Sequence, residues 1–180
     1  MKKEFIRLSG ILCAITLVAA LLLAFVNKIT APEIAKADKK ASEDAMSMII
    51  PDAEFEKVEG YDGVFVATKG GAVEGYCVTV SVNGFGGTIK MMVGIGADDT
   101  VKGIEVLSHG ETAGLGAKAD TDDFKNRFRG KNPALTVVKT PTESPDEVQA
   151  ITGATITSRA IAEGVAQAYS IVNEIEGGDK

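Results

Sequence analysis

Gly75-Tyr-Cys-Val-Thr-Val-Ser-Val82 runs through the turn Asn83-Gly-Phe-Gly-Gly87 into Gly87-Thr-Ile-Lys-Met-Met-Val-Gly-Ile95. Two apolar runs rich in β-branched residues on either side of a glycine-rich turn predict an antiparallel hairpin. Working outward, Gly63-Val-Phe-Val-Ala67 precedes it, and Val101-Lys-Gly-Ile-Glu-Val-Leu107 follows after Asp98-Asp99-Thr100. The spacing is that of an antiparallel meander. The alternation along Val101–Leu107 is imperfect, so both faces of that strand are expected to be partly covered, one of them by a helix.

Helical periodicity supplies the cover. Asp122–Phe128 reads as a short helix and Ala134–Val138 as a further strand. Ser158–Ile175 carries an apolar stripe at Ile161, Val165, Ala168, Tyr169 and Val172. Upstream, Thr30-Ala-Pro-Glu33 has the form of a capping box with proline in the first turn. Ile34, Ala37, Ala41, Ala45 and Met48 then recur near helical spacing until Pro51. The expected class is α+β: an N-terminal transmembrane helix, then a twisted antiparallel sheet flanked by helices.

No charged residue occurs from Leu8 to Asn27, and residues 11–26 are nearly all apolar. A helix of about 20 residues at 1.5 Å rise crosses about 30 Å of hydrocarbon, so one membrane span is expected, in contact with lipid through residues 8–27. No small-x-small cleavage site stands out after Phe25, and Gly10-Ile11-Leu12 ahead of Cys13 lacks the small residue of a lipoprotein signal, so the span reads as an uncleaved anchor. Lys2, Lys3 and Arg7 precede it on a short tail, whereas the lysines beyond are interleaved with Glu33, Asp38, Glu43 and Asp44. That asymmetry keeps the tail inside and makes the C-terminal domain extracytoplasmic. The 180 residues then divide into an anchor with a short cytoplasmic tail (1–29), a connecting helix (30–50) and one domain (51–180).

Net charge is −6, and the first 27 residues are positive, so the domain is more acidic than the whole. Nucleic acid is excluded, since phosphate neutralisation needs clustered Lys and Arg. Cys13 in the anchor and Cys77 in the domain have no partner in reach, and His109 is the only histidine. No zinc, haem or iron–sulfur ligand set exists, and no P-loop, dinucleotide or Gly-x-Ser-x-Gly pattern is completed. A hydrolytic threonine would need a base, and the histidine lies on another segment.

Two segments remain. Ile151-Thr-Gly-Ala-Thr-Ile-Thr-Ser158 gathers hydroxyls and small residues at the start of the last helix, where unpaired N–H groups and the positive end of the dipole welcome a phosphate. An ordinary Thr/Ser N-cap for Ser158–Ile175 would look the same. Ser108-His-Gly-Glu-Thr-Ala-Gly-Leu-Gly116 is a glycine-rich loop in which main chain can pass close to a flat ligand and Leu115 can lie on an apolar ring; alone it is a decorated turn.

Together these segments resemble a known family. Thr152-Gly-Ala-Thr155, followed by Ile156-Thr-Ser158 and an apolar helix, is similar to the flavinylation motif of the FMN-binding domain found in the G subunit of the Rnf electron-transport complex and the C subunit of the sodium-pumping NADH:quinone reductase. Ser108–Gly116 is similar to the second signature, which usually has proline where Ala113 stands; the motif also often carries Asp where this chain has Gln149. The anchor, the Gly84–Gly87 turn and the short length match as well.

The resemblance implies FMN held as a phosphoester on Thr155, placed there by a flavin transferase. It implies supporting hydroxyls at Thr152, Thr157 and Ser158 beside Gly153 and Ala154, and a ring lined by Glu111, Thr112, Leu115 and Gly116. Physics agrees with this chemistry, because a phosphodiester keeps one negative charge that N–H groups near Ile156–Arg159, and Arg159 itself, can offset. It further implies electron transfer beside other Rnf-type membrane subunits in a complex coupling ferredoxin:NAD electron transfer to ion translocation, with no catalytic or metal site of its own. The C subunit of the quinone reductase, a free-standing anchored flavin carrier and a flavin-free sensory or adhesive module are the alternatives; the short chain favours the Rnf reading.

Overall fold

The computed structural model describes residues 2–178. The chain divides into two compact units, the first ending at Lys40 and the second beginning at Ala41. Helix α1 runs without interruption over Lys2–Ile49 and contains Pro32. The capping box expected at Thr30–Glu33 does not form. Instead, the Thr30 hydroxyl donates back to the Val26 carbonyl at 3.0 Å, as Thr16 does to Leu12 at 3.0 Å. A hydroxyl bonded within its own helix can enter hydrocarbon without an orphaned polar group. Within Ile6–Ile49 the most apolar stretch is long enough to cross a membrane and none of it is buried by protein.

The second unit is built on a five-stranded antiparallel meander: β1 (Glu54–Lys57), β2 (Val64–Lys69), β3 (Ala72–Asn83), β4 (Thr88–Gly96) and β5 (Val101–Ser108), each strand pairing with its sequence neighbour. The central hairpin keeps one register from Gly75↔Gly96 to Asn83↔Thr88. Bulges at Lys90/Met91 and Gly94/Ile95 interrupt the β4–β5 ladder, which accounts for the imperfect alternation along β5.

Both faces of the sheet are covered. Val78, Val80, Val82, Ile89, Met91, Val93 and Ile95 point to one side, where helix α3 (Thr155–Gly178) buries Ile161, Val165, Ala168 and Val172 against them. Phe124 and Phe128 close the end of this core, their rings edge to face with centroids 5.3 Å apart. On the other side Cys77 and Met92 meet Ala45, Met46, Ile49 and Ile50 from the end of α1 and the residue after it. The helix comes so close that a Cβ on Gly94 would fall 2.1 Å from Ile49 Cγ2. Burial pushes the Cys77 thiol up to about 12, consistent with a side chain that serves only as packing.

Asp122–Lys125 forms a single helical turn (α2) continued by a 3₁₀ turn at Asn126–Phe128. The strand expected at Ala134–Val138 shortens to β6 (Thr136–Val138), which pairs in parallel with β7 (Glu147–Gln149). Strands β1 and β7 have no counterpart in the sequence reading. Lys125, largely buried, donates to Glu105 at 2.7 Å and ties α2 to β5.

Candidate functional site

Helix α3 begins at Thr155, one turn earlier than the periodicity of its apolar stripe indicates. The first turn explains why. The Ser158 N–H reaches the Ala154 carbonyl at 3.0 Å, and the Ser158 hydroxyl donates to that same carbonyl while accepting the Ile151 N–H, each at 3.0 Å. Ser158 is therefore no N-cap. It lies inside the helix, fully buried, and stitches the Ile151–Ala154 loop to the first turn. The N–H groups left without an intrahelical partner are those of Thr155, Ile156 and Thr157, a shift from the expected Ile156–Arg159. Gly153, at φ +83, makes the turn into the helix and lies against Leu115, to which an added Cβ would approach within 3.2 Å.

A cavity of about 380 Å³ opens in front of this turn, within the range of small-molecule sites. Phe85 from the β3–β4 turn, Glu111, Thr112, Leu115 and Gly116 from the glycine-rich loop, and Gly153, Ala154, Thr155, Ile156 and Thr157 from the start of α3 line it. The structure thus brings together two motifs far apart in sequence. Thr152, exposed, and Ser158, buried beneath the turn, are not among the lining residues, nor is exposed Arg159. Phe85 is a lining residue that the sequence motifs do not single out, although a large apolar side chain in a glycine-rich hairpin turn is unusual and was the signal for it. Phe85, Leu115 and Ile156 are exposed apolar surfaces around the opening.

The hydroxyls of the motif differ in what they are free to do. Thr157, buried, donates to Glu111 Oε2 at 2.7 Å. Ser158 is committed to Ala154. Thr155, partly exposed on the cavity wall, has no hydrogen bond from its hydroxyl among the described residues.

Glu111 is the one buried carboxylate of the site. Its Oε1 accepts the Gly86 N–H at 3.0 Å. Burial, the largest single influence, raises its pKa, but the bonds from Gly86, the Thr157 hydroxyl and the Phe85 N–H, with the neighbouring His109, together outweigh it and hold the carboxyl below the usual glutamate range. His109 turns its Nδ1 to accept the Glu111 N–H at 3.2 Å. The glycines of these loops make room for this carboxylate: a Cβ on Gly84 would fall 2.1 Å from Oε1, and one on Gly116 2.3 Å from Oε2. For Gly116, expected from the sequence to let main chain approach a flat ligand, the observed role is to leave room for the Glu111 carboxylate. Among the described residues no cluster of three or more His, Cys, Asp or Glu side chains suited to a metal ion exists.

Residues 84–170 match the family model of the FMN-binding domain, and residues 1–49 that of the RnfG N-terminal region. The G subunit of the proton-translocating ferredoxin:NAD(+) oxidoreductase complex of Clostridium ljungdahlii is 37% identical over 163 residues, 89% of this chain and 88% of its own. The G subunit of the Na(+)-translocating ferredoxin:NAD(+) oxidoreductase complex of Acetobacterium woodii is 34% identical over 96% of this chain and 94% of its own. The chain belongs to the family of G subunits of Rnf-type ion-translocating oxidoreductase complexes. Among solved structures, the C subunit of the Na(+)-translocating NADH-quinone reductase from Parabacteroides distasonis superposes with TM-score 0.54 at 30% identity, covering 64% of this chain and 69% of its own. NqrC of Shewanella oneidensis, at 22% identity, shares the fold with TM-score 0.53, covering 69% of this chain and 66% of its own.

Proposed function

We propose that this chain is the flavin-bearing electron-transfer subunit of an Rnf-type membrane complex, with FMN joined through its phosphate to Thr155. The observation that carries the attachment is the contrast among hydroxyls: Thr157 and Ser158 are buried and spent on Glu111 and Ala154, whereas Thr155 faces the cavity unengaged. The residues present fit the group. The N–H groups of Thr155, Ile156 and Thr157, at the positive end of α3, would offset the phosphodiester's remaining negative charge, and Phe85, Leu115 and Ile156 would offer apolar surface to a planar ring. Bound flavin supplies the electron-transfer chemistry; the chain holds it, orients it and sets its electrostatic surroundings.

The G-subunit relatives align over most of their own length, which favours the Rnf complex over the quinone reductase. Partners are then the other members of such a complex, a flavin transferase for maturation, and lipid along residues 8–27. The domain beyond α1 works on the outer side of the membrane. The test is the intact mass of the chain purified from its own host, or after co-expression with a flavin transferase: one FMN phosphoryl adduct is expected, giving a band on a denaturing gel that fluoresces under ultraviolet light. Thr155→Val, which keeps the shape and removes the hydroxyl, abolishes that band, whereas Thr157→Val and Ser158→Ala retain at least part of it. A fluorescent Thr155→Val chain, or an FMN mass mapped to Thr157, refutes the assignment.

A further inference from the structure

Glu111 has no task in holding a phosphate, and a carboxylate beside an anion-accepting helix start is electrostatically unwelcome. Its neighbours are nevertheless arranged to keep it there, ionised. Oε1 accepts from Gly86 at 3.0 Å and Oε2 from Thr157 at 2.7 Å. Gly84 and Gly116 leave the space its oxygens occupy, since a Cβ at either would lie 2.1 or 2.3 Å from one of them. Three separate pieces of chain, the β3–β4 turn, the loop after β5 and the first turn of α3, converge on one carboxyl group at the cavity wall. A pure structural tie could be made between neutral groups at lower desolvation cost.

From this we infer that Glu111 is a positioning residue that fixes a permanent negative charge in the wall of the flavin cavity, and that this charge lowers the reduction potential of the attached flavin. The inference rests on the functional reading above. Reduction adds electrons to the ring, and a buried negative charge in a medium of low effective dielectric opposes that addition more strongly than the same charge in water. The carboxylate acts through space and through the segments it joins, with its oxygens turned to Gly86 and Thr157.

Glu111→Gln removes the charge at nearly constant volume and keeps an oxygen that can accept the Gly86 N–H. The full-length chain, loaded with FMN by a flavin transferase and purified in detergent, is titrated spectroscopically against redox dyes. The midpoint potential of Glu111→Gln should lie above that of the wild type, with one FMN still attached by intact mass. An equal or lower potential in a loaded Glu111→Gln chain overturns the inference alone, leaving the flavin assignment intact. A wild-type chain that takes up no FMN overturns both. Should Glu111→Gln fail to fold, Gly116→Ala carries the test: it retains the charge but forces the carboxylate from its seat, so the flavin absorbance bands and the potential should both move. Unchanged bands and potential in that variant overturn the inference equally.

Discussion

The Ile151 N–H points at the Ser158 hydroxyl from 3.0 Å, and this bond, buried on all sides, joins the acceptor loop to the helix it precedes. Ser158→Ala leaves that donor without a partner in the interior, at a cost of about 1–3 kcal/mol. For a chain of this size the melting temperature should fall by roughly 2–4 °C per kcal/mol. Calorimetry of the wild type and variant, each loaded with FMN, measures it; equal melting temperatures would show that the Ile151 N–H finds another acceptor.

Gly94 tests the cover on the opposite face of the sheet. Valine there places atoms where Ile49 Cγ2 now sits, only 2.1 Å from the added Cβ. Overpacking of this kind costs about 1–3 kcal/mol and should lift residues 41–50 from the sheet, so limited proteolysis should cut that segment faster. FMN attachment should persist, because no cavity residue belongs to it.

Acid should remove the stabilising contribution of the Glu111 carboxylate. Glu111 is held below the ordinary glutamate range in the folded chain, so it binds a proton more readily when unfolded. Its contribution is fully present above the unfolded glutamate value and is lost as pH falls through the lower, folded one. Stability measured from neutral pH into this acid window should decline more steeply for the wild type than for Glu111→Gln, which has no proton to take up at that position.

The proposed outward placement of the domain is argued from Lys2, Lys3 and Arg7 ahead of an uncharged span. Protease added to intact, right-side-out cells should digest the domain and leave the tail. Complete protection until lysis would reverse the orientation.

Much of this was legible in the residues themselves. The hairpin around Asn83–Gly87 declares its strands by β-branched content and its turn by glycine, and the stripe Ile161–Val172 declares which side of α3 is buried. What escaped was set by tertiary contact. Strand β1 is four residues, three of them charged, Glu54-Phe-Glu-Lys57, and exists because β2 pairs with it. Strand β7 is equally short and depends on β6. Thr30–Glu33 carries every local sign of a helix start, yet the helix continues through it: Thr30 satisfies its hydroxyl at Val26, and Pro32 is tolerated inside α1 despite the lost backbone donor and its ring's crowding of the preceding turn. In the site, residue types and order were readable, but which of three neighbouring hydroxyls is left unengaged was not. That division depends on Glu111, 46 positions away from Thr157, and no local pattern reports a contact so distant in the chain.

Every strand of the meander lies beside its sequence neighbour, so the sheet can assemble in the order in which the ribosome delivers it, each hairpin closing a short loop. The cavity cannot. One wall comes with the loop after β5 and the other only with the first turn of α3, after α2, β6 and β7 have been made. A chain folding in that order would have its sheet formed and the α3 side of its core bare before the Thr155 wall of the cavity exists. FMN attachment at Thr155, as proposed above, would then be confined to chains in which the first turn of α3 has docked against the loop after β5.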